Sequence, residues 1–303
     1  MSSKPVKVAV AGAGQLGLPI VKALLAANHP VLVLSRSTPK DLPKSDLLSV
    51  AQVDYTSKTS IEPHLKDVHT LVSTLGSLAI DAQGPLIDAA YAAGVSRVIP
   101  SEFGCDTHHH LAATLPVYAG KVAVQKQVEA LAAKSEGKFS WTIIHNNAFL
   151  DSGLTNGFIA NVPEKKLVRY DGGDVPFAAT RLGVIADAIV GVLSNLGATK
   201  NKSLKIQDVR TTQNEILEIL GGKDGWEIEE FDTKKDREDG FKELQEKGKD
   251  ANFGKIMLGQ IRGAAFAEGW GADFGERAPD NELVGIKEMG KGEWEEYVRS
   301  FAK

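Results

Sequence analysis

The chain has 303 residues, 43% of them hydrophobic, and carries 35 Lys and Arg against 39 Asp and Glu for a net charge of -4. That balance gives no overall electrostatic reason to bind nucleic acid or an anionic membrane, so the predicted partner is a small molecule. One cysteine, Cys105, excludes an internal disulfide framework and a cysteine-rich metal site; with no signal-like segment and no apolar run of the ~18 residues a spanning helix needs, a cytoplasmic protein, monomer or homodimer, is expected.

Along the first half, short β-branched runs at 6–11, 30–35, 50–54, 70–74, 96–101 and 140–145 predict strands. Between them "LGLPIVKALLAANH", "AIDAQGPLIDAAYAAG" and "VYAGKVAVQKQVEALAAK" carry helical spacing, with Gly or Asn near several ends. Strand and helix in alternation predict an α/β protein built on a doubly wound parallel sheet of the Rossmann type. The alternation loosens near residue 152, which predicts a nucleotide-binding domain over 1–152 and a smaller substrate-binding part over 153–303, packed on the first. Within the second part, 181–196 reads as an amphipathic helix and 201–209 as a strand. The charge-dense stretch 232–250 mixes both signs and reads as a solvated helix or loop. Near the end, Trp294, Tyr297, Val298 and Phe301 fall at i, i+3, i+4 and i+7, the spacing of a helix that docks by one face.

The first strand runs into "GAGQLG", where Gly12, Gly14 and Gly17 fit G-x-G-x-x-G immediately before a helix. Such a turn, with Gln15 and Leu16 inside it, lets the backbone approach a pyrophosphate and offers it the helix N-terminus. An NAD site usually carries an acidic residue at the end of the next strand, to accept the ribose hydroxyls. Here that place is taken by Arg36, whose guanidinium suits a 2′-phosphate, so the expected cofactor is NADPH. Ligands of such sheets lie at the carboxyl ends of the strands. Those ends gather Asp54, then Thr74, Leu75 and Gly76, then Ser101, Glu102 and Phe103, then Asn146, Asn147 and Phe149 as candidate cofactor contacts.

Hydride transfer needs a group that gives or takes a proton. Tyr118 and Lys121 stand at i and i+3, which is not the Y-x-x-x-K spacing of ordinary short-chain dehydrogenases, because residue 122 is Val. Lys121, on a mainly apolar segment where burial favours the neutral amine, is the candidate catalytic residue; a surface lysine would read the same way. The run His108-His109-His110 suggests a metal cluster, yet three adjacent residues cannot converge on one ion and no second ligand set is close in sequence. It reads as a polar loop, and no metal is expected.

Taken together, "GAGQLG", "LSRS", "STLG", "IPSEFGCD" (99–106), "VYAGKVAVQKQVEA" (117–130), "WTIIHNNAF" (141–149) and "FAATRLGVIADAIVGVL" (177–193) resemble the NmrA-like, isoflavone reductase-like family of atypical short-chain dehydrogenases/reductases. The resemblance implies an NADPH-dependent reductase acting on an aromatic or conjugated small molecule of the enone, quinone or quinone methide type. It also implies that Lys121 is the general acid or base and also touches the cofactor, and that Lys44 is a second basic residue near the 2′-phosphate. Tyr118 stands where plant members carry Phe, and 259–281 does not match their substrate segments, which favours a fungal-type member. Phe149, Phe266 and Trp270 are the candidate lining of an aromatic substrate pocket, with core packing as the plainer account of each. The alternative function is a non-catalytic regulator that senses the NADP(H) state and binds a protein partner.

Overall fold

A computed structural model describes residues 4–302. Its elements in chain order are β1 (Val8–Ala11), α1 (Gly17–Ala26), β2 (Val31–Ser35), β3 (Leu48–Gln52), α2 (Lys58–Ile61), β4 (Thr70–Ser73), α3 (Gln83–Ala92), β5 (Arg97–Ile99), α4 (Ala119–Lys134) and β6 (Ser140–His145). There follow β7 (Ala148–Phe149), α5 (Leu150–Gly153), β8 (Lys166–Tyr170), β9 (Phe177–Thr180), α6 (Leu182–Ser194), β10 (Lys202–Lys205), β11 (Val209–Thr211), α7 (Gln213–Ile219), β12 (Glu227–Phe231), α8 (Thr233–Lys247), α9 (Phe253–Phe266) and α10 (Lys291–Ser300).

Seven strands form one sheet in the order β10-β6-β5-β4-β1-β2-β3, and every pairing within it is parallel. A parallel sheet is covered on both faces, so its strands must be apolar on both sides. Accordingly Val8 and Val10 of β1 pack with α1 and α6 on one face, while Ala9 and Ala11 pack with α3 and α4 on the other. Each neighbouring strand repeats this two-residue period, as Val31 and Val33 against Leu32 and Leu34 show. The expected six strands, their order of appearance and the helices between them are all present.

The boundary expected at residue 152 does not separate two units cleanly. Helix α6 packs Ile185, Ile189 and Val192 against Ile20 and Leu24 of α1, and β10 adds the seventh strand beside β6. Residues 182–205 thus return to the first sheet, because the outer face of α1 and the open edge of β6 would otherwise remain uncovered. Arg97 of β5 sits under this return segment, 3% exposed. Its guanidinium donates to Ser140 Oγ (2.8 Å), Thr142 Oγ1 (2.7 Å), Thr199 Oγ1 (3.2 Å) and the Leu196 carbonyl (2.7 Å), and burial lowers its pKa to about 10.

The remaining elements make the covering part, with a three-stranded sheet β11-β9-β7, a two-stranded sheet β12-β8 and a core around Phe177, Tyr170 and Phe266. Trp294 and Val298 of α10 are buried in that core, with Tyr297 and Phe301 packed at its border, as their spacing predicts. The charge-dense stretch is helical: Asp232 caps α8 by accepting from the Lys235 amide at 2.8 Å, and Lys247–Glu243 pairs one turn apart on its exposed face. Helix α9, which the sequence reading does not anticipate, lies on α8 and brings Ile261 and Ala265 over the end of the first sheet. No helix among the described residues is long and apolar enough to cross a membrane.

Candidate active site

At the carboxyl end of β1 the chain turns at Gly12, whose φ of 98° is strained for a residue with a side chain. Its amide donates to the Leu34 carbonyl at 3.0 Å, and Thr74 Oγ1 donates to the carbonyls of Ala11 and Gly12 (3.1 and 3.0 Å), tying the turn to the end of β4. A Cβ at Gly17 would stand 2.2 Å from the Gly12 carbonyl oxygen, so only glycine lets α1 start this close to the turn. Gly14 differs: a Cβ there would meet nothing within 4 Å and would project into open space. Helix α1 begins with no side-chain cap and no acid in its first turn, leaving its leading N–H groups to an anion.

Beside this turn lies a cavity of about 330 Å³ lined by Gly12, Gly14, Arg36, Thr74, Leu75 and Gly76. Arg36 is exposed at its rim, and no ion pair among the described residues engages its guanidinium. A backbone cradle open at Gly14, an uncapped helix end and an unpaired cation fit a phosphorylated dinucleotide.

The turn's next residue, Gln15, lines a second cavity of about 240 Å³, shared with Phe103, Lys121, Asn147 and Phe149. Lys121 enters it from the first turn of α4, half-buried, and its Nζ donates to the Glu102 carbonyl. The loop after β5 therefore holds the lysine by its backbone. The Glu102 side chain is buried at 1% exposure, where its Oε2 accepts from Thr107 Oγ1 at 2.6 Å and Thr107 accepts from Gln125 Nε2 at 2.6 Å. Burial raises the pKa of Glu102, with the Lys121 charge opposing.

Three titratable side chains line the second cavity: Cys105, Tyr118 and Lys121. Cys105 Sγ donates to Tyr118 Oη at 2.9 Å; burial pushes the thiol up to about 11 and the phenol well above its usual value. Neither ionises near neutrality. Lys121 is the remaining titratable side chain in this lining. Opposite it, Asn147 has φ of 47° and donates through Nδ2 to the carbonyls of Ala178 (2.9 Å) and Ala265 (3.1 Å). Its buried Oδ1 has no partner among the described residues.

Several expected contacts stand elsewhere. Leu16 is buried in the core beneath α1, and Lys44 is exposed on the loop between β2 and β3, outside the lining of either cavity. Ser101 braces the β4 loop, its Oγ donating to the Leu75 carbonyl at 2.8 Å. Asn146 is turned inward, its Nδ2 donating to the Asn147 carbonyl at 3.0 Å. Of the three aromatic residues expected in the substrate pocket, Phe149 lines it, but Phe266 does not: it stacks on Tyr170 with ring centroids 4.5 Å apart in the covering core. Trp270 also lies behind the wall, packed near Tyr118 and facing the Arg237 guanidinium at 4.2 Å. The walls are completed by Ile80, Val117, Phe158, Ile261 and Ala265, which sequence reasoning missed. Isolated apolar residues distributed over such distant segments carry no local signal.

The three histidines of the run do not converge on one point, as their adjacency implies. His109 and His110 stand apart, but the fold brings His145, at the end of β6, and Asp106 beside His108, with one ligating atom of each within 4.8 Å of the others. Burial drives the His145 pKa down to about 3, against the opposing pull of Asp106, so the imidazole is neutral.

The profile of the NmrA-like family matches residues 4–238. Oxidoreductase aprR of Aspergillus flavus is 30% identical over 275 residues, 89% of this chain and 90% of that protein. An isoflavone reductase of Cicer arietinum is 29% identical over 71% of this chain and 74% of its own length. Among solved structures, an isoflavone reductase superposes with a TM-score of 0.73 at 23% identity, covering 98% of this chain and 100% of that one. The binary complex of leucoanthocyanidin reductase with NADPH from Vitis vinifera does so with a TM-score of 0.73 at 20% identity, covering 98% and 99%. The match to the family profile spans the glycine turn, the Lys121 helix and the return of the chain to its first sheet, and the chain belongs to the NmrA-like family.

Proposed function

We propose that the protein is an NADPH-dependent oxidoreductase that reduces an aromatic or conjugated small molecule, an enone, quinone or quinone methide, in the 240 Å³ cavity. The observation that carries this reading is Lys121, set in that cavity one residue of lining away from the phosphate-binding turn, through Gln15. Relatives that bear the names oxidoreductase and isoflavone reductase, and a structural neighbour solved with NADPH, support it.

NADPH, when bound, supplies the hydride. The chain's own residues do the rest. Gly12, Gly14 and the start of α1 receive the pyrophosphate, and Arg36 grips the 2′-phosphate. Phe103, Phe149 and Phe158 with Ile80 and Ile261 exclude water and offer flat apolar walls to a conjugated ring. Asn147 holds this stretch of the wall in place through its two bonds to the carbonyls of Ala178 and Ala265. Lys121, steadied by the Glu102 carbonyl, delivers a proton to the substrate oxygen as charge develops there.

The test is a calorimetric titration of the purified protein with NADPH, NADP, NADH and NAD, followed by a panel of enones and quinones with reduced-cofactor absorbance as the readout. Preferential binding of NADPH with substrate-dependent oxidation that Lys121→Ala abolishes is expected. Equal affinity for the phosphorylated and unphosphorylated cofactors overturns the role of Arg36. Binding without turnover on any member of the panel overturns the reductase in favour of a cofactor-sensing regulator.

A further inference from the structure

Outside the two cavities, the loop that follows β5 places a second set of chemically active side chains against the end of β6. His145 Nδ1 lies 3.1 Å from the Cys105 carbonyl, an atom that can only accept. Nδ1 therefore carries the proton, and the Nε2 lone pair points the other way, toward His108 Nδ1 at 3.2 Å and Asp106 Oδ1 at 3.6 Å. A proton on His108 Nδ1 can fill that lone pair, and a metal ion can take the proton's place, since the carboxylate oxygen of Asp106 faces the same point. Ligands bound about 2.0–2.1 Å from a tetrahedral metal stand roughly 3.3 Å apart; His145 Nε2 has its two neighbours at 3.2 and 3.6 Å, and all three ligating atoms lie within 4.8 Å of one another. An imidazole fixed by an N–H donated to a backbone carbonyl, with its other nitrogen free, is also how metal-ligating histidines are held.

We propose that Asp106 Oδ1, His108 Nδ1 and His145 Nε2 form a binding site for a divalent transition metal of the Zn²⁺ or Co²⁺ class. Two imidazoles and one carboxylate select a borderline metal over Mg²⁺ or Ca²⁺, which prefer oxygen. His108 is exposed and gives the ion an entry path and an open fourth position, while His145 and Asp106 are buried. Ser203 Oγ lies 3.3 Å from His108 Nδ1, and Lys205 Nζ pairs with Asp106 at 2.7 Å through the other oxygen, Oδ2. Oδ1 accepts from the His108 amide at 3.0 Å, which uses one lone pair and leaves the other to the ion, while the ammonium lowers the ion's affinity by charge repulsion. An ion held there would fasten the segment carrying Phe103, Gly104 and Cys105, three residues of the substrate cavity wall, to the end of β6.

The test uses tag-free, chelator-treated full-length protein titrated with Zn²⁺ by calorimetry and with Co²⁺ by visible absorption, so its outcome does not depend on the reductase activity. Saturable one-to-one binding with the d–d bands of low-coordinate Co²⁺ is expected. His108→Ala, an exposed substitution, should weaken Zn²⁺ about tenfold or more, since loss of even an outer-sphere partner costs about that much. Lys205→Met should strengthen it, and His110→Ala, the control at an exposed neighbouring histidine, should leave it unchanged. No saturable binding, or binding that His108→Ala leaves within about twofold while His110→Ala removes it, overturns the site.

Discussion

The nucleotide cradle and the substrate cavity adjoin at Gln15 but are made in different ways. The cradle is largely main chain: two glycines that admit a close turn and an open approach, a helix end and the hydroxyl of Thr74. The cavity is made of side chains from the loop after β5, the start of α4, the stretch around Asn147 and helix α9. A backbone site depends on local conformation and can be kept with few residue identities fixed. A side-chain site depends on which distant segments meet, so it can change its ligand while the cradle stays the same. Such a division permits a constant cofactor end beside a variable substrate end.

The sharpest way to break the comparison is at Lys121, the proton donor of the proposed reaction. Lys121→Ala should lower kcat by about 10²–10⁴ while NADPH affinity changes far less, measured by steady-state rates beside calorimetry. A parallel fall in both would mean that the lysine belongs to the cradle. Next is Arg36→Ala, which should weaken NADPH by about 10- to 100-fold and leave NADH untouched, the loss of a charge-assisted phosphate contact. A loss shared by both cofactors would move the 2′-phosphate elsewhere.

Asn147→Ala tests the join between sheet and cover. It strips two buried carbonyls, of Ala178 and Ala265, of their donor and places Ala at a positive φ, and should cost about 2–3 kcal/mol in chemical denaturation. Unchanged stability would show that the cover is held from other points. The smallest effect is expected at Glu102. Its folded pKa lies above the ordinary 4.5 because it is buried, so the folded state holds the proton longer than the unfolded one. The stability this contributes is complete below that ordinary value and is lost as pH rises through the folded pKa. Glu102→Gln, which stays neutral, should therefore match the parent near pH 4 and exceed its Tm increasingly toward pH 8; thermal melts across that range would show a constant offset if the carboxyl were not buried in its charged form.

How far the sequence could be read follows the same division. The glycine turn, Arg36 and the two-residue periodicity of the strands are local patterns, and their structural places match the reading. Lys121 is legible from its helix context and lies in a cavity. Of the three aromatics expected in the pocket only Phe149 lines it; Phe266 and Trp270 look no different in sequence, and only the fold decides that one stacks on Tyr170 and the other packs near Tyr118. Helix α9 escaped notice because its glycines, Gly254, Gly259 and Gly263, weaken the helical signal; at Gly259 a Cβ would meet the Asp236 carboxylate at 1.8 Å, so close helix packing is what that glycine serves. Asp106, His108 and His145 cannot be joined by spacing, since helix α4 and the rest of β6 lie between the second and the third.

The seventh strand carries a lesson about synthesis on the ribosome. A chain that has emerged only as far as β6 has its complete glycine turn, but Arg97 then lacks the Thr199 hydroxyl and the Leu196 carbonyl, and α1 lacks its partner α6. The nascent nucleotide-binding half must therefore wait, with an open sheet edge and an apolar helix face exposed, until the strand around Lys205 has left the exit tunnel. Everything between residues 146 and 181 is made during that wait, which makes the interval after β6 the stretch in which a chaperone would have most to hold.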